Sequence, residues 1–320
     1  MMSFRKIKLI LKPSYLKIYD ILGRIYFYNY ILKNAELFKR NNQLCSTLMG
    51  ENILIFAPHI DDDMIGCGGA IIKYLSTNKN VSICYLTDSG GLGSKSSRTD
   101  IIKERRNEAL TIASLIGLRK DSLFFLNGED GNLYESDIED DIKDVIKLVK
   151  PDTIFMPCLL DTHKDHYTVS VKLCKLYKKF VKFFNGITIY LYESQSPITE
   201  FYSNICLNIT EVISNKIQIT KVYKSQPSDF RFMINQNMIN GATFGKGKFV
   251  EIYIKTNMEN YSAFFSKYYS DLEKYLKVRE KLIPNGDSRD LIASYKTSKE
   301  NKTLLTKLEK IQITKFISNL

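Results

Sequence analysis

Tryptophan is absent from this 320-residue chain, proline occurs seven times and histidine three times. Proline and the 16 glycines are too few for a collagen-like or Pro/Gly-rich disordered chain. The six cysteines are scattered and form no C-x-x-C pair, which excludes a disulfide-stapled miniprotein and zinc-finger spacing. Several lie in apolar stretches such as Ser82-Ile83-Cys84-Tyr85-Leu86, so buried reduced thiols and a cytoplasmic location are expected. No apolar run approaches the ~20 residues that span a bilayer. The basic start has only Leu9-Ile10-Leu11 as an apolar run before Lys12-Pro13, too short for a signal peptide.

Apolar residues make up 44% and charged residues 25%, ordinary values for a globular protein with a sizeable core. The net charge is +11, and residues 1–50 hold nine Lys or Arg against two acids, a net of +7. Tyr15, Leu16, Ile18, Tyr19, Ile21, Leu22, Ile25, Tyr26 and Phe27 interleave with those bases. This segment suits peripheral contact of residues 1–40 with an anionic membrane face. Apolar residues on most sides of the helix favour packing on the domain instead. The basic balance also admits nucleic acid, but no aromatic-basic RNP pattern, zinc-finger spacing or recognition helix accompanies it, so no nucleic-acid partner is expected.

Short apolar runs at 52–57, 81–87, 122–126, 153–157 and 187–192 read as strands, those at 52–57 and 81–87 as strands buried on both faces. Helical periods over 66–79, 100–115, 138–148 and 167–183 fall between them, with Gly117 as a C-cap. This alternation predicts an α/β fold with a mainly parallel sheet. Later strands are expected at 204–210 and 248–255, and helices at 210–224 and 258–281. The Gly/Ser-rich stretch 88–97 reads as a mobile wall or lid. The expected organisation is a basic helical segment (1–50), a central domain (51–255) and a helical extension (256–320).

The first strand runs into Ala57-Pro58-His59-Ile60-Asp61-Asp62-Asp63 and the fourth into Asp161-Thr162-His163-Lys164-Asp165-His166. Both motifs lie at carboxyl ends of strands, where open parallel sheets bind ligands. All three histidines of the chain are therefore in the two acidic motifs. If these strands are close neighbours, His59, Asp61, Asp62, His163, Asp165 and His166 converge. Packed carboxylates repel unless a cation lies among them. Two imidazoles and one carboxylate with an open position suit catalytic zinc, and they also suit ferrous iron or another divalent metal.

The pair Pro58-His59-x-Asp61-Asp62 and His163-x-Asp165-His166 resembles the LmbE/PIG-L family of zinc-dependent N-acetylglucosamine de-N-acetylases, which carry P-H-P-D-D-E and H-P-D-H. Arg105-Arg106-Asn107-Glu108, Lys216 with Ser225-Gln226, and Gly241 to Glu251 resemble weaker family segments, so the likeness spans residues 50–255. It implies a Rossmann-like three-layer sandwich. It implies zinc held by His59, Asp62 and His166, with Asp61 as general base. His163 would stabilise the oxyanion or protonate the leaving amine, Asp165 would hold the tautomer or charge of His163, and Arg105 would contact substrate. The implied substrate is a small N-acetylglucosamine-type sugar conjugate, phosphate- or lipid-linked, or another small N-acyl conjugate. Three positions depart from the family: Ile60 and Lys164 stand for prolines, and Asp63 for the glutamate. Asp61-x-Asp63 also resembles the magnesium-dependent aspartyl phosphatases. That reading meets Ile65 where Thr or Val is wanted, and it leaves His163 and His166 unexplained.

Overall fold

The computed structural model describes residues 42–91, 97–159, 161, 163–194, 203–226 and 230–267, together with Ile21, Ile25, Asn29, Glu36 and Lys39. Apart from those five positions, the segment expected to touch a membrane lies outside the described residues, as do residues 92–96 of the expected lid and 268–320 of the expected extension. Among the described residues no helix is long and apolar enough to cross a membrane.

Eight strands form one sheet: β1 (Gln43–Cys45), β2 (Asn52–Ala57), β3 (Asn80–Thr87), β4 (Leu123–Gly128), β5 (Thr153–Pro157), β6 (Thr188–Tyr192), β7 (Ile205–Asn208) and β8 (Val250–Thr256). Their order is β1-β7-β8-β6-β5-β2-β3-β4. Antiparallel β8 pairs with both β6 and β7, and the other pairings are parallel. The strand order 4-3-2-5-6 inside this sheet is that of a doubly wound fold, with chain order reversing between neighbours β2 and β5.

The helices are α1 (Asp62–Ser76), α2 (Arg98–Ile116), α3 (Glu139–Val149), α4 (Lys164–Lys179), α5 (Ile213–Thr220) and α6 (Arg231–Ala242). On β2 the side chains alternate between two cores, which is why that strand is apolar throughout. Ile53, Ile55 and Ala57 join the core under α1, α2 and α5. Leu54 and Phe56 join the opposite core under α3, α4 and the helical residues 258–267. Phe56 is fully buried. Truncating such a side chain to Ala typically costs about 3–5 kcal/mol.

The observed architecture is the expected α/β sandwich of three layers. Its strands match the apolar runs. Gly117 caps α2 in the left-handed conformation, with φ 75°, where glycine carries no steric penalty. α1 and α4 start earlier than their apolar periodicity indicates, because their first turns are built from the acidic motifs themselves. β1 and α6 were not expected.

Candidate metal centre

β2 and β5 pair directly, Ile53 beside Thr153 through Ile55 beside Phe155. Their carboxyl ends therefore deliver both motifs to the crevice at the topological switch point, where the strands on either side run their crossovers apart. The ring centroids of His59, His163 and His166 lie 4.7–5.4 Å from one another. Segments about a hundred positions apart meet at one place.

The first motif folds into the amino-terminal turn of α1. Asp61 sits just before it with φ 149°. Side chains rarely adopt that conformation, and it costs on the order of 1–3 kcal/mol. The Asp61 carbonyl starts the helix by accepting from Ile65 N–H at 2.9 Å. Asp62 and Asp63 are buried, whereas Asp61 is only half-buried. Adjacent carboxylates thus reach different surroundings. Asp62 Oδ2 accepts from the His59 amide at 3.0 Å, and Ser194 donates to Asp62 Oδ1. Asp63 turns away and accepts from the Tyr85 hydroxyl at 3.0 Å, and burial raises its pKa to about 7, because burial disfavours the charged form.

Asp62 Oδ2 lies 3.1 Å from His59 Nδ1 and 3.1 Å from His166 Nε2. The other nitrogen of each ring faces a different carboxylate. His59 Nε2 is 3.1 Å from Asp165 Oδ2 and 3.2 Å from Asp130 Oδ1, and His166 Nδ1 is 3.2 Å from Asp161 Oδ2. This is the pattern in which an outer carboxylate orients a metal-binding imidazole. Both nitrogens of His166 are fully buried and lack a hydrogen bond of acceptable geometry, although those oxygens are within reach. That leaves both nitrogens suited to another partner. Donor atoms of His59, His163 and His166 come within 4.8 Å of one another, as do those of His59, Asp130 and Asp165.

The electrostatics agree with a site that attracts positive charge. Against the cost of burial, Asp130, Asp165 and Asp62 raise the pKa of His59 well above the ordinary imidazole range, as opposite charges at contact distance do. Burial likewise opposes the shift of His166, but Asp62 and Asp161 raise it to about 10. Despite burial, His166 and His59 hold Asp62 well below the ordinary carboxylate range. Asp61 goes the opposite way: burial and the Asp62 charge push it well up.

His163 is the N-cap of α4, and its Nδ1 accepts from the Asp165 amide at 3.2 Å, the bond by which a cap side chain satisfies an unpaired amide. That bond assigns the proton to Nε2 and leaves Nε2–H as a donor. Burial and the adjacent His59 and His166 lower its pKa to about 4, so it is neutral near pH 7. The tautomer of His163 is thus set by the Asp165 amide, while the Asp165 carboxylate is directed elsewhere. It accepts from Gly131 N–H at 2.7 Å and Leu133 N–H at 3.2 Å, and it faces His59. The Asp165 amide bonds His163, and the carboxylate's charge acts on that ring through space, opposing the larger effects that lower the His163 pKa.

Arg105 reaches the same cluster from α2. It is buried, donates from Nη1 to the Ser89 carbonyl at 2.5 Å and lies 3.7 Å from Asp130 Oδ2. Its Nε is buried without a partner. Parts of the weaker segments also gather here. Glu108 accepts from the amide and hydroxyl of Ser225 at 2.8 and 2.7 Å, and the Gln226 amide group donates to the Ile60 carbonyl at 2.7 Å. Asp130 Oδ2 accepts from Gly91 N–H at 2.7 Å, anchoring the described start of the expected lid.

Two participants were missed in the sequence. Asp130 lies in a Glu129-Asp130-Gly131 stretch that reads as a plain turn. Asp161 had a usable signal, since Asp often bonds the backbone two residues on. It stands two residues before His163, and its carboxylate accepts the His163 amide at 2.9 Å.

Residues 54–175 match the family model described as PIG-L: GlcNAc-PI de-N-acetylase. Among solved structures, N,N'-diacetylchitobiose deacetylase from Pyrococcus horikoshii is similar at 21% identity over 82% of this chain and 96% of that one, with TM-score 0.57. The conserved protein TT1542 from Thermus thermophilus is similar at 21% identity over 63% and 93%, with TM-score 0.53. GalB, the 4-carboxy-2-hydroxymuconate hydratase from Pseudomonas putida, is similar at 18% identity over 64% and 95%, with TM-score 0.55. At these identities the likeness speaks for the fold, and a hydratase among the neighbours means the fold alone does not select a reaction. The matched segment contains both motifs and Arg105, so the likeness to the PIG-L (LmbE-like) model at residues 54–175 covers the whole cluster of histidines.

Proposed function

We propose that this protein is a zinc-dependent hydrolase that removes the N-acetyl group from a small N-acetylglucosamine-type sugar conjugate. One observation supports the reading most strongly: Asp62 Oδ2 stands 3.1 Å from one nitrogen of both His59 and His166, while their other nitrogens face Asp165, Asp130 and Asp161. His59 Nδ1, His166 Nε2 and Asp62 would hold the metal, a donor set that zinc accepts and ferrous iron also tolerates. When bound, the metal supplies a water whose pKa is near ~7 and a Lewis acid for the amide oxygen.

The remaining steps belong to side chains of this chain. Asp61 is the half-open carboxylate beside the metal ligands, and its raised basicity suits the general base that takes the water's proton. That proton is then available to the departing amine. Neutral His163 offers Nε2–H where oxyanion charge develops, which favours hydrogen-bond stabilisation over proton donation. Arg105, beside Asp130 in the same cluster, would contact substrate. The phosphate or lipid linkage and the membrane contact of residues 1–40 remain part of this proposal, as do a cytoplasmic location and the division at residues 50 and 255.

Metal analysis of the purified protein, with free-amine release measured on a panel of N-acetylglucosamine conjugates, tests the reading. One zinc per chain and release that stops on chelation and returns with zinc is the expected result. Full turnover after complete metal removal would sink it, as would hydration of an unsaturated acid without amine release from any conjugate.

A further inference from the structure

Outside the metal centre, one buried group of charges touches α1 in its interior. Lys216 on α5 is fully buried and donates to the Ile65 carbonyl at 3.0 Å, Asn237 Oδ1 at 3.0 Å and Glu251 Oε1 at 2.7 Å. Glu251 on β8 accepts from Gly69 N–H at 2.7 Å and Ala70 N–H at 3.0 Å. Tyr253 is two residues on, and so on the same face of β8. Its hydroxyl donates to Glu251 Oε2 at 2.6 Å and lies 3.3 Å from the Gly66 carbonyl.

Gly69 with Ile65, and Ala70 with Gly66, are the donor and acceptor pairs of two successive i→i−4 rungs of an α-helix. Side chains from two other elements therefore compete for both ends of these rungs. The signs suit the helix: an anion meets amides and a cation meets carbonyls, as at helix ends. Glycine makes the approach feasible. A Cβ on Gly69 would stand 2.9 Å from Glu251 Oε1, and one on Gly68 would stand 3.0 Å from Lys216 Cε. Immediately before these rungs comes the turn that carries Asp62.

We infer that Lys216 and Glu251 are positioning residues for the metal centre: by holding the Ile65–Ala70 stretch from outside, they set where the Asp62 turn stands relative to His59 and His166. The inference rests on the metal reading above and adds a residue pair that touches neither metal nor substrate.

The test uses the full chain, with zinc affinity measured by chelator competition and the visible spectrum of the cobalt-substituted protein as a report on ligand geometry. Lys216→Met with Glu251→Gln removes both charges at once and leaves neither stranded. Zinc affinity should fall on the order of tenfold, the scale of losing an outer partner of a metal ligand, and the cobalt bands should shift. A double variant that melts lower but keeps wild-type affinity and spectrum overturns the inference, because that is what a purely structural pair produces. Should the double variant not fold, Tyr253→Phe keeps the ion pair and removes one hydroxyl. A weakening of about threefold with a shifted spectrum supports the inference, and unchanged values overturn it. If the wild type itself binds neither zinc nor cobalt, the metal reading fails first.

Discussion

Two groups of buried charge lie at opposite ends of the first turn of α1, and they are built on opposite principles. In the Lys216–Glu251 group every ammonium proton has an acceptor and each carboxylate oxygen has two donors, which uses the full donor capacity of the lysine. In the motif group, Asp61, Asp62, Asp130, Asp161 and Asp165 surround three imidazoles, and both nitrogens of His166 lack an aligned partner. The first group is satisfied within the protein and needs no ligand. In the second, a cation would supply the missing partner, and buried polar groups in that condition are candidates for a site of function.

Breaking the second group should have the largest effect. On the proposed reading His166→Ala removes a direct metal donor, so zinc affinity should drop by more than the ~10–100-fold that an outer partner is worth, and hydrolysis should disappear with it. A variant that keeps one tightly held zinc would move the metal away from Asp62. Next comes Asp61→Asn, which keeps the shape of the strained residue and all three donors. It should retain zinc by metal analysis and lose turnover by about 10²–10⁴-fold. Retained turnover would take the base role from Asp61.

How much of this contrast was legible in the sequence follows from where its parts sit. His59, Asp61, Asp62, His163 and His166 stand immediately after apolar strands, so pattern alone placed them on one edge of the sheet. Asp130 stands after β4, a strand whose interior is only half-buried, in a turn like many others. Nothing local distinguishes it, because its partners His59 and Gly91 are far away in the chain. The way Asp165 meets His163 was not legible for a related reason: one residue offers an amide and a carboxylate, and spacing does not say which bonds His163. α6 escaped notice because Phe232-Met233-Ile234-Asn235-Gln236-Asn237-Met238-Ile239-Asn240 alternates apolar and polar residues at no helical period. Its buried Asn237 and Asn240 are there for Lys216 and Glu193.

Breaking the satisfied group should show up in stability. Lys216→Met strands the buried Glu251 carboxylate, and losing one partner of such a pair typically costs about 3–5 kcal/mol, measurable by urea unfolding. A cost below ~1 kcal/mol, the scale of a solvated pair, would mean that water reaches Glu251. A smaller effect is expected from Asp161→Asn. The amide oxygen still caps the His163 turn, but the charge behind His166 is lost. Zinc affinity should fall by roughly 10–100-fold, with the unfolding midpoint of the metal-free protein little changed. Equal losses in both quantities would make Asp161 a structural residue.

The smallest effect concerns a backbone shaped for a residue the chain does not use. Lys164 is the first residue of α4, where an amide has no partner within the helix and proline is well tolerated. The residue before it, His163, has φ −79° and ψ 129°. That is the extended region that proline demands of its predecessor. Lys164→Pro should therefore leave the fold intact and add about 0.4–1 kcal/mol of stability by restricting the unfolded chain. Lys164 is exposed and follows His163 directly, so its charge stands at the rim of the motif group. KM for a phosphate-bearing conjugate should rise a few-fold at low salt, an effect that added salt screens, while KM for an uncharged conjugate stays put. Equal KM changes for both would show that the lysine acts on the position of His163 and Asp165, and not on the charge of the substrate.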